Sequence, residues 1–476
     1  MKEHPSLKIF NTETRSYEQL VLSKGQNTLR MYTCGPTIYN YAHIGNFRTY
    51  VFEDLLRRTI KYFGIPIIQV MNITDIDDKT IKGALEKGCS LAAYTKEYKE
   101  AFFDDLMSLK IERVEFYPAA TDHIAEMIKM IQTLLDNKMA YKSKEGDVFF
   151  SIKTFPSYGR LSHLCLSELK SGASMRVQAD EYDKESASDF VLWKAYHKER
   201  DGAIFWESPF GRGRPGWHIE CSAMATKLLG ESIDIHVGGV DNIFPHHENE
   251  IAQSEGCSGK RFVRHWIHAE HLIVNGKKMS KSLGNFYTLR DLLDLGFSGV
   301  EVRYLLLSTH YRTQLNFTLE GLKSARQSLK RLNDFVARVE RISGDTGSSF
   351  NAFIKKGESA FKEALGDDLN IARALASLFD VIRQLNSHLD QDQIGTLGKK
   401  EILAFLLRVD KVLGCLSFQK EVSISEAVKE ALEKREKARA AKDWEEADRQ
   451  RNLILKAGFL IEDSPYGPRL KVKDGS

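Results

Sequence analysis

Two side chains near the middle of the chain have the type and spacing of metal ligands. In Pro245-His246-His247-Glu248-Asn249-Glu250, His246 and Glu250 stand one helical turn apart. A proline at the first helical position suits a helix start, and an i, i+4 pair projects from one face. Gly238-Gly239-Val240-Asp241 lies just upstream, a glycine turn against which a nucleotide could rest on bare backbone. Alone, this His-x-x-x-Glu spacing is far more often a solvated helix face than a ligand pair. A metal beside a nucleotide cradle would suit an enzyme that activates its substrate with ATP and identifies it by coordination.

Two further runs offer phosphate chemistry. His43-Ile44-Gly45-Asn46 stands where a glycine-containing loop enters a helical stretch. Helix starts attract phosphate through unpaired N–H groups, and His43 and Asn46 can both donate toward a triphosphate. The plain alternative is an ordinary helix start. Lys277-Lys278-Met279-Ser280-Lys281-Ser282-Leu283-Gly284-Asn285 is more specific. Lys278 and Lys281, among small hydroxyls, would deliver two point charges to a polyphosphate. A merely basic surface loop would not require the Met-Ser-Lys-Ser order.

The elements that must position these groups are legible in outline. Residues 29–33 read as a strand, broken by Cys34-Gly35-Pro36. Residues 47–63 keep helical period through Val51, Leu55, Ile60 and Phe63, and 65–72 form a second apolar strand. Strand, helix and strand at this distance predict a βαβ unit and a parallel sheet. Helices follow at roughly 90–110 and 121–138, and residues 141–215 change to short β-like runs. Residues 233–237 form another strand followed by a glycine turn and a helix, so the two halves repeat one plan.

From about 319 the chain turns helical, with Leu319, Leu322, Ala325, Leu329, Leu332, Val336 and Val339 in phase. Lys323, Arg326, Lys330 and Arg338 occupy other faces and read as a solvated bundle surface. The expected architecture is α/β: a Rossmann-like catalytic domain in halves 1–140 and 216–318, interrupted by an insertion at 141–215. A helical bundle (319–416) and a small α+β unit (423–476), read as one charged helix and a β-like tail, complete it.

The whole chain is compatible with that plan. Its 476 residues allow two to four domains at about 100–200 residues each. With 42% hydrophobic residues, 28% charged residues and a net charge of only +3, a polyanion must be met by local basic patches. The six cysteines (34, 89, 165, 221, 257, 415) show no CxxC spacing, which argues against a disulfide framework. The start has no apolar segment of a secretory signal, and no run approaches a membrane span, so a cytoplasmic protein is expected.

His43–Asn46 and residues 278–282 resemble the paired HIGH and KMSKS signatures of class I aminoacyl-tRNA synthetases. Four longer runs narrow the resemblance to the cysteinyl-tRNA synthetase family: Thr33-Cys34-Gly35-Pro36-Thr37-Ile38-Tyr39, Asn72-Ile73-Thr74-Asp75-Ile76-Asp77-Asp78-Lys79, residues 213–224 and residues 244–253. The similarity covers essentially the whole chain. It implies that one zinc ion is held by Cys34, Cys221, His246 and Glu250, a sound zinc donor set. It also implies an amino-acid pocket lined by Gly35, Thr74, Trp217 and His236. ATP would meet His43, Asn46, Gly239, Asp241 and Lys281, with Lys278 assisting.

The expected reaction joins L-cysteine to tRNA(Cys) through an adenylate formed from Mg-ATP, in a monomer. Zinc–sulfur bonding would separate cysteine from serine chemically, whereas pocket shape discriminates small groups by only about 1–3 kcal/mol. The insertion is accordingly too small for an editing domain. The last unit resembles the family's anticodon-binding domain, with Arg439, Trp444, Asp448 and Asp463 on the base-reading positions. Two positions depart from the pattern: Asn46 stands for the final histidine of HIGH, and Leu470 where relatives often have tryptophan. The alternative acceptor is an amino sugar, for which residues 319–476 would serve no purpose. A further alternative is a non-catalytic RNA-binding protein of the same descent.

Overall fold

The computed structural model describes residues 6–22, 25–164, 189–280, 283–344, 348–418, 426–464 and 467–472. Leu29–Thr33 and Ile67–Met71 are the two expected strands and pair in parallel, Leu29 opposite Ile67. The helix between them, Ile44–Tyr62, begins three residues before its apolar period. Its start is set by a reciprocal cap: His43 Nδ1 accepts from the Asn46 amide, and Asn46 Oδ1 accepts from the His43 amide.

Ile233–Gly239 then pairs with the other flank of Leu29–Thr33, and Val263–Ala269 lies beyond it, both parallel. The chain thus leaves its first sheet strand toward one side and returns on the other. That reversal opens a crevice at the carboxyl ends of Leu29–Thr33 and Ile233–Gly239, the place where open α/β sheets bind ligands. Alternate residues feed two cores. Met31, Ile235 and Val237 pack with Leu56 and Ile60, whereas Tyr32 and Val70 pack with Cys221 and Met224. Burial on both faces suits the near-continuous apolar run Ile67–Met71, whereas Leu29–Thr33 and Ile233–Gly239 carry Arg30 and Asp234, which bond to each other across the strand pair.

The insertion contains an antiparallel sheet in the order Ala140–Lys142, Val148–Phe150, Phe190–Ala195, Gly213–Pro215. Trp193 and Phe150 fill its core. Residues 165–188, Cys165 included, lie outside the described residues.

Helices Leu319–Glu340, Asn351–Gly366, Ile371–Leu389 and Thr396–Leu413 form the bundle. Leu322, Ala325, Leu329, Leu332, Val336 and Val339 are buried as their period required. The basic residues on the other faces are paired within the chain: Lys323 with Glu320, Lys330 with Asp334, Arg326 with Glu301 and Arg338 with Asp390. One buried cation ties the bundle to the catalytic half. Arg303, fully buried, pairs with Asp54 of helix Ile44–Tyr62 and donates to the carbonyls of Leu413 and Leu109 at 2.7 and 3.2 Å.

The last unit holds two helices, Glu426–Ala440 and Trp444–Lys456, where one was expected. Lys442 takes a left-handed φ of 59°, and Asp443 caps the second helix by accepting from the Glu446 amide. A hairpin, Phe459–Ser464 with Gly467–Val472, follows. Among the described residues no helix is long and apolar enough to cross a membrane.

Candidate functional site

The crevice is lined by residues that the fold brings from distant parts of the chain. Cys34 continues the first sheet strand, its amide donating to the Val237 carbonyl at 3.2 Å. At Gly35 a side chain is sterically impossible, because a Cβ would lie 1.8 Å from the Asn72 carbonyl oxygen. Cys221 comes from helix Trp217–Leu229, which starts at Gly216 and packs across the sheet.

His246 and Glu250 approach differently from the expected regular helix. Pro245 follows a cis peptide in an irregular turn, Ile243–His247, and the regular helix is Glu248–Ser258. Phe244 is extended there (φ −139°, ψ 132°), and the regular helix starts three residues downstream of the proline. The two side chains still meet, His246 Nε2 standing 3.0 Å from Glu250 Oε1.

Donor atoms of Cys34, His246, His247 and Glu250 all lie within 4.8 Å of one another. His247, which the sequence reading passed over, puts Nε2 3.3 Å from Cys34 Sγ. The adjacent histidines of the Pro-His-His-Glu run were the available signal, because His247, three residues before Glu250, shares its helix face as His246 does. Cys221 is buried, and its thiol shares a hydrogen bond with that of Cys34. Three of the four expected ligands, Cys34, His246 and Glu250, thus share the cluster with His247, while Cys221 lies beside Cys34 but outside it.

The surrounding histidines orient this set. His246 Nδ1 is 2.9 Å from His218 Nδ1, which turns Nε2 toward Glu250. His247 Nδ1 meets His268 Nε2 at 2.8 Å, and His268 Nδ1 meets Thr12 Oγ1 at 2.7 Å. His236 Nε2 lies 2.8 Å from Glu250 Oε2, its ring stacked on Trp266. Trp217 stacks on His246 with centroids 4.1 Å apart.

Electrostatics in this enclosure favours neutral groups. The bond to Cys221 and burial push the Cys34 thiol well up, and burial pushes the Glu250 carboxyl up. Burial draws His246 and His247 well down, and His218, His236 and His268 to about 3. A dication among them would reverse the preference of thiols and carboxyl while leaving the imidazoles neutral. One atom fits that reading directly. Glu250 Oε1 is fully buried and, although close to His246 Nε2, accepts no hydrogen bond of proper angle. Two lone-pair atoms misaligned for each other suit ligands of a shared ion.

The phosphate-type runs meet at the same crevice. Ile44 donates to the Tyr287 carbonyl at 3.0 Å, and the His43 ring packs edge-on against Phe286. A Cβ on Gly45 would sit 3.4 Å from Met279 Cε. Asn285 ties its loop together, accepting from the Ser280 amide and donating to the Lys278 carbonyl. Lys278 is exposed at a short strand edge; Lys281 and Ser282 lie outside the described residues. Gly239 closes its strand beside Thr49 of helix Ile44–Tyr62. Asp241 is exposed and 2.9 Å from His271 Nε2, which raises the His271 pKa.

Thr74 and His236 are buried close by, Thr74 Oγ1 2.9 Å from Glu220 of helix Trp217–Leu229 and His236 against Glu250, while Gly35 and Trp217 are half-buried. Arg439, Trp444, Asp448 and Asp463 lie elsewhere, on the last unit: Arg439 pairs with Asp463, and Trp444 and Asp448 are one turn apart on the second helix. Trp444 is 62% exposed. Asp463 pairs with Arg439 and with Arg435, whose hydrogen bonds draw its carboxyl down to about 2. Leu470 is half-buried in the small core of the unit.

Comparison with known proteins gives concordant results. A family model described as the tRNA synthetases class I (C) catalytic domain matches residues 21–327, and a DALR domain matches 360–417. The cysteine–tRNA ligase of Protochlamydia amoebophila is 57% identical over 477 residues, covering 99% of this chain and all of that protein. That of Chlamydia felis is 55% identical over 473 residues, covering 98% of each. Among solved structures, methionyl-tRNA synthetase of Mycobacterium tuberculosis, in complex with methionyl-adenylate, superposes with a TM-score of 0.58. It shares 15% identity over 82% of this chain and 88% of that one, a likeness of fold.

Proposed function

The chain belongs to the cysteine–tRNA ligase family of class I tRNA synthetases, and on that premise we propose how it joins cysteine to tRNA: through a cysteinyl-adenylate, with zinc selecting the amino acid by its sulfur. The observation that carries this reading is one crevice bordered by a buried thiol–imidazole–carboxylate set and by both phosphate-type runs. Relatives matched over the full chain, bundle and last unit included, leave no reason to prefer an amino-sugar acceptor.

Cys34, Cys221, His246 and Glu250 would hold the zinc. Once bound, it supplies a soft Lewis acid for which a thiol is a far better partner than the hydroxyl of serine. His218 orients His246, and the Trp217 ring walls the pocket against it. Gly35, Thr74 and His236 complete the cysteine site.

With the thiol anchored, the substrate carboxylate attacks the α-phosphorus of Mg-ATP and pyrophosphate leaves. The terminal ribose hydroxyl of tRNA(Cys) then takes the cysteinyl group, first at the 2′ position, and AMP departs. The first step needs no base because the attacking carboxylate is already ionised; in the second the mixed anhydride is reactive and the hydroxyl proton passes to the departing phosphate, so charge stabilisation carries the rate. The cap at His43 holds Asn46 Oδ1 inward, so the amide nitrogen of Asn46 is its group for phosphate. Lys278 and Lys281 neutralise the departing pyrophosphate, and Gly239 and Asp241 receive the adenosine. Arg439, Trp444, Asp448 and Asp463 read anticodon bases by stacking and edge hydrogen bonds.

The test is ATP–pyrophosphate exchange with cysteine and with serine, measured beside bound zinc. One zinc per chain and cysteine-dependent exchange are expected; zinc-loaded protein silent with cysteine would overturn the reading. In the same assay Lys281→Ala should slow exchange strongly while cysteine still binds, and unchanged exchange would remove the lysine from its role.

A further inference from the structure

Asn72, only 2% exposed, spans two of the residues assigned above to the cysteine pocket. Its Oδ1 accepts from the Gly35 amide at 2.9 Å, and its Nδ2 donates to Thr74 Oγ1 at 3.1 Å. Gly35 and Thr74 follow the carboxyl ends of neighbouring strands, so this one amide bridges the floor of the crevice. The partners also fix which way it points. A backbone N–H can only donate, so the oxygen must face Gly35 and the nitrogen Thr74.

That orientation dictates what Thr74 can offer. A hydroxyl has one proton and two lone pairs. The Thr74 hydroxyl donates to Glu220 Oε2, 2.9 Å away, which accepts as a carboxylate oxygen or as the carbonyl oxygen of a carboxyl whose pKa burial pushes up, and one lone pair is taken by Asn72. What remains is a single acceptor. Of the groups on cysteine, the sulfur goes to the thiol–imidazole–carboxylate set and the carboxylate to phosphorus. Only the α-ammonium is left, and it is a pure donor.

We infer that Asn72 is a positioning residue for the substrate's α-ammonium group, acting by holding the Thr74 hydroxyl as an acceptor. This rests on the cysteine site proposed above, and it adds a residue that contacts no substrate itself.

The test compares Asn72→Ala, Thr74→Val and the double variant in ATP–pyrophosphate exchange. Each single change should raise KM for cysteine roughly tenfold, the scale of one hydrogen bond to a charged group. The double variant should be no worse than either alone, because both break one chain of contacts. For Asn72→Ala, KM for ATP, kcat and bound zinc should stay as in the wild type. Two competitive inhibitors separate positioning from general damage. Cysteamine, which keeps the ammonium, should weaken with cysteine, whereas 3-mercaptopropionate, which lacks it, should bind unchanged.

Equal losses for both inhibitors, loss confined to 3-mercaptopropionate, or multiplied effects in the double variant would each overturn the inference. If Asn72→Ala does not fold, Asn72→Ser replaces it, since a seryl hydroxyl is too short to span both partners. A wild type without cysteine-dependent exchange would instead refute the proposed function, while normal exchange with unchanged KM in the variants would refute only the role of Asn72.

Discussion

His246, His247 and Glu250 are sealed from solvent, each satisfied or frustrated by its immediate neighbours, whereas Trp444 is 62% exposed and Arg439 and Asp463 pair at the surface. The strand-end pocket gathers residues from five separate segments; the last unit presents its four from one continuous stretch. The contrast is one of mutual dependence. A buried polar set is positioned by its own members, so removing one leaves desolvated partners behind. In an exposed set, water can satisfy the partners that a lost member leaves behind, so each removal costs little.

The comparison is tested most severely at the pocket. Cys34→Ser should lose bound zinc and reduce cysteine-dependent exchange roughly a hundredfold or more, at least the loss seen when outer partners of a metal site are removed. Cys221→Ala and His247→Ala, assayed side by side for zinc content, would sharpen the assignment: the variant that retains one zinc per chain did not lose a ligand.

On the exposed side, Trp444→Ala should raise KM for tRNA about tenfold, as expected for one lost stacking contact. Exchange without tRNA should not change, and a loss there would break the comparison. The smallest effect concerns Asp463. Its carboxyl is held at about 2, so the pairing contributes stability above the ordinary carboxylate range and loses it as pH falls from about 4 toward 2. Solvent screening limits this to at most about 1 kcal/mol. Hydrogen exchange in the Phe459–Ser464 hairpin should show that pH dependence in the wild type and none in Asp463→Asn.

The sequence conveyed the sheet and the bundle because burial on both faces of a strand, or one face of a helix, leaves a period. It placed Leu322 through Val339 in the core and the break at Cys34-Gly35-Pro36 where a strand ends. It conveyed local contacts less well where turn chemistry overrode periodicity. Helix Ile44–Tyr62 starts early because of its cap, and the last unit splits at Lys442. No spacing joins Cys34 to Cys221, since only strand order brings them together; resemblance alone suggested it. His247 and Asn72 escaped notice for a related reason: their partners lie across the sheet, where sequence distance carries no information.

Arg303 fixes one more relation. Because its guanidinium is locked between Asp54 and the carbonyls of Leu413 and Leu109, the end of the bundle is registered against the helix whose first turn carries Asn46. Swinging one without the other would strand a charge where no water reaches it. The end of the bundle and that helix therefore share one buried anchor, and Arg303→Met should loosen both together in hydrogen exchange.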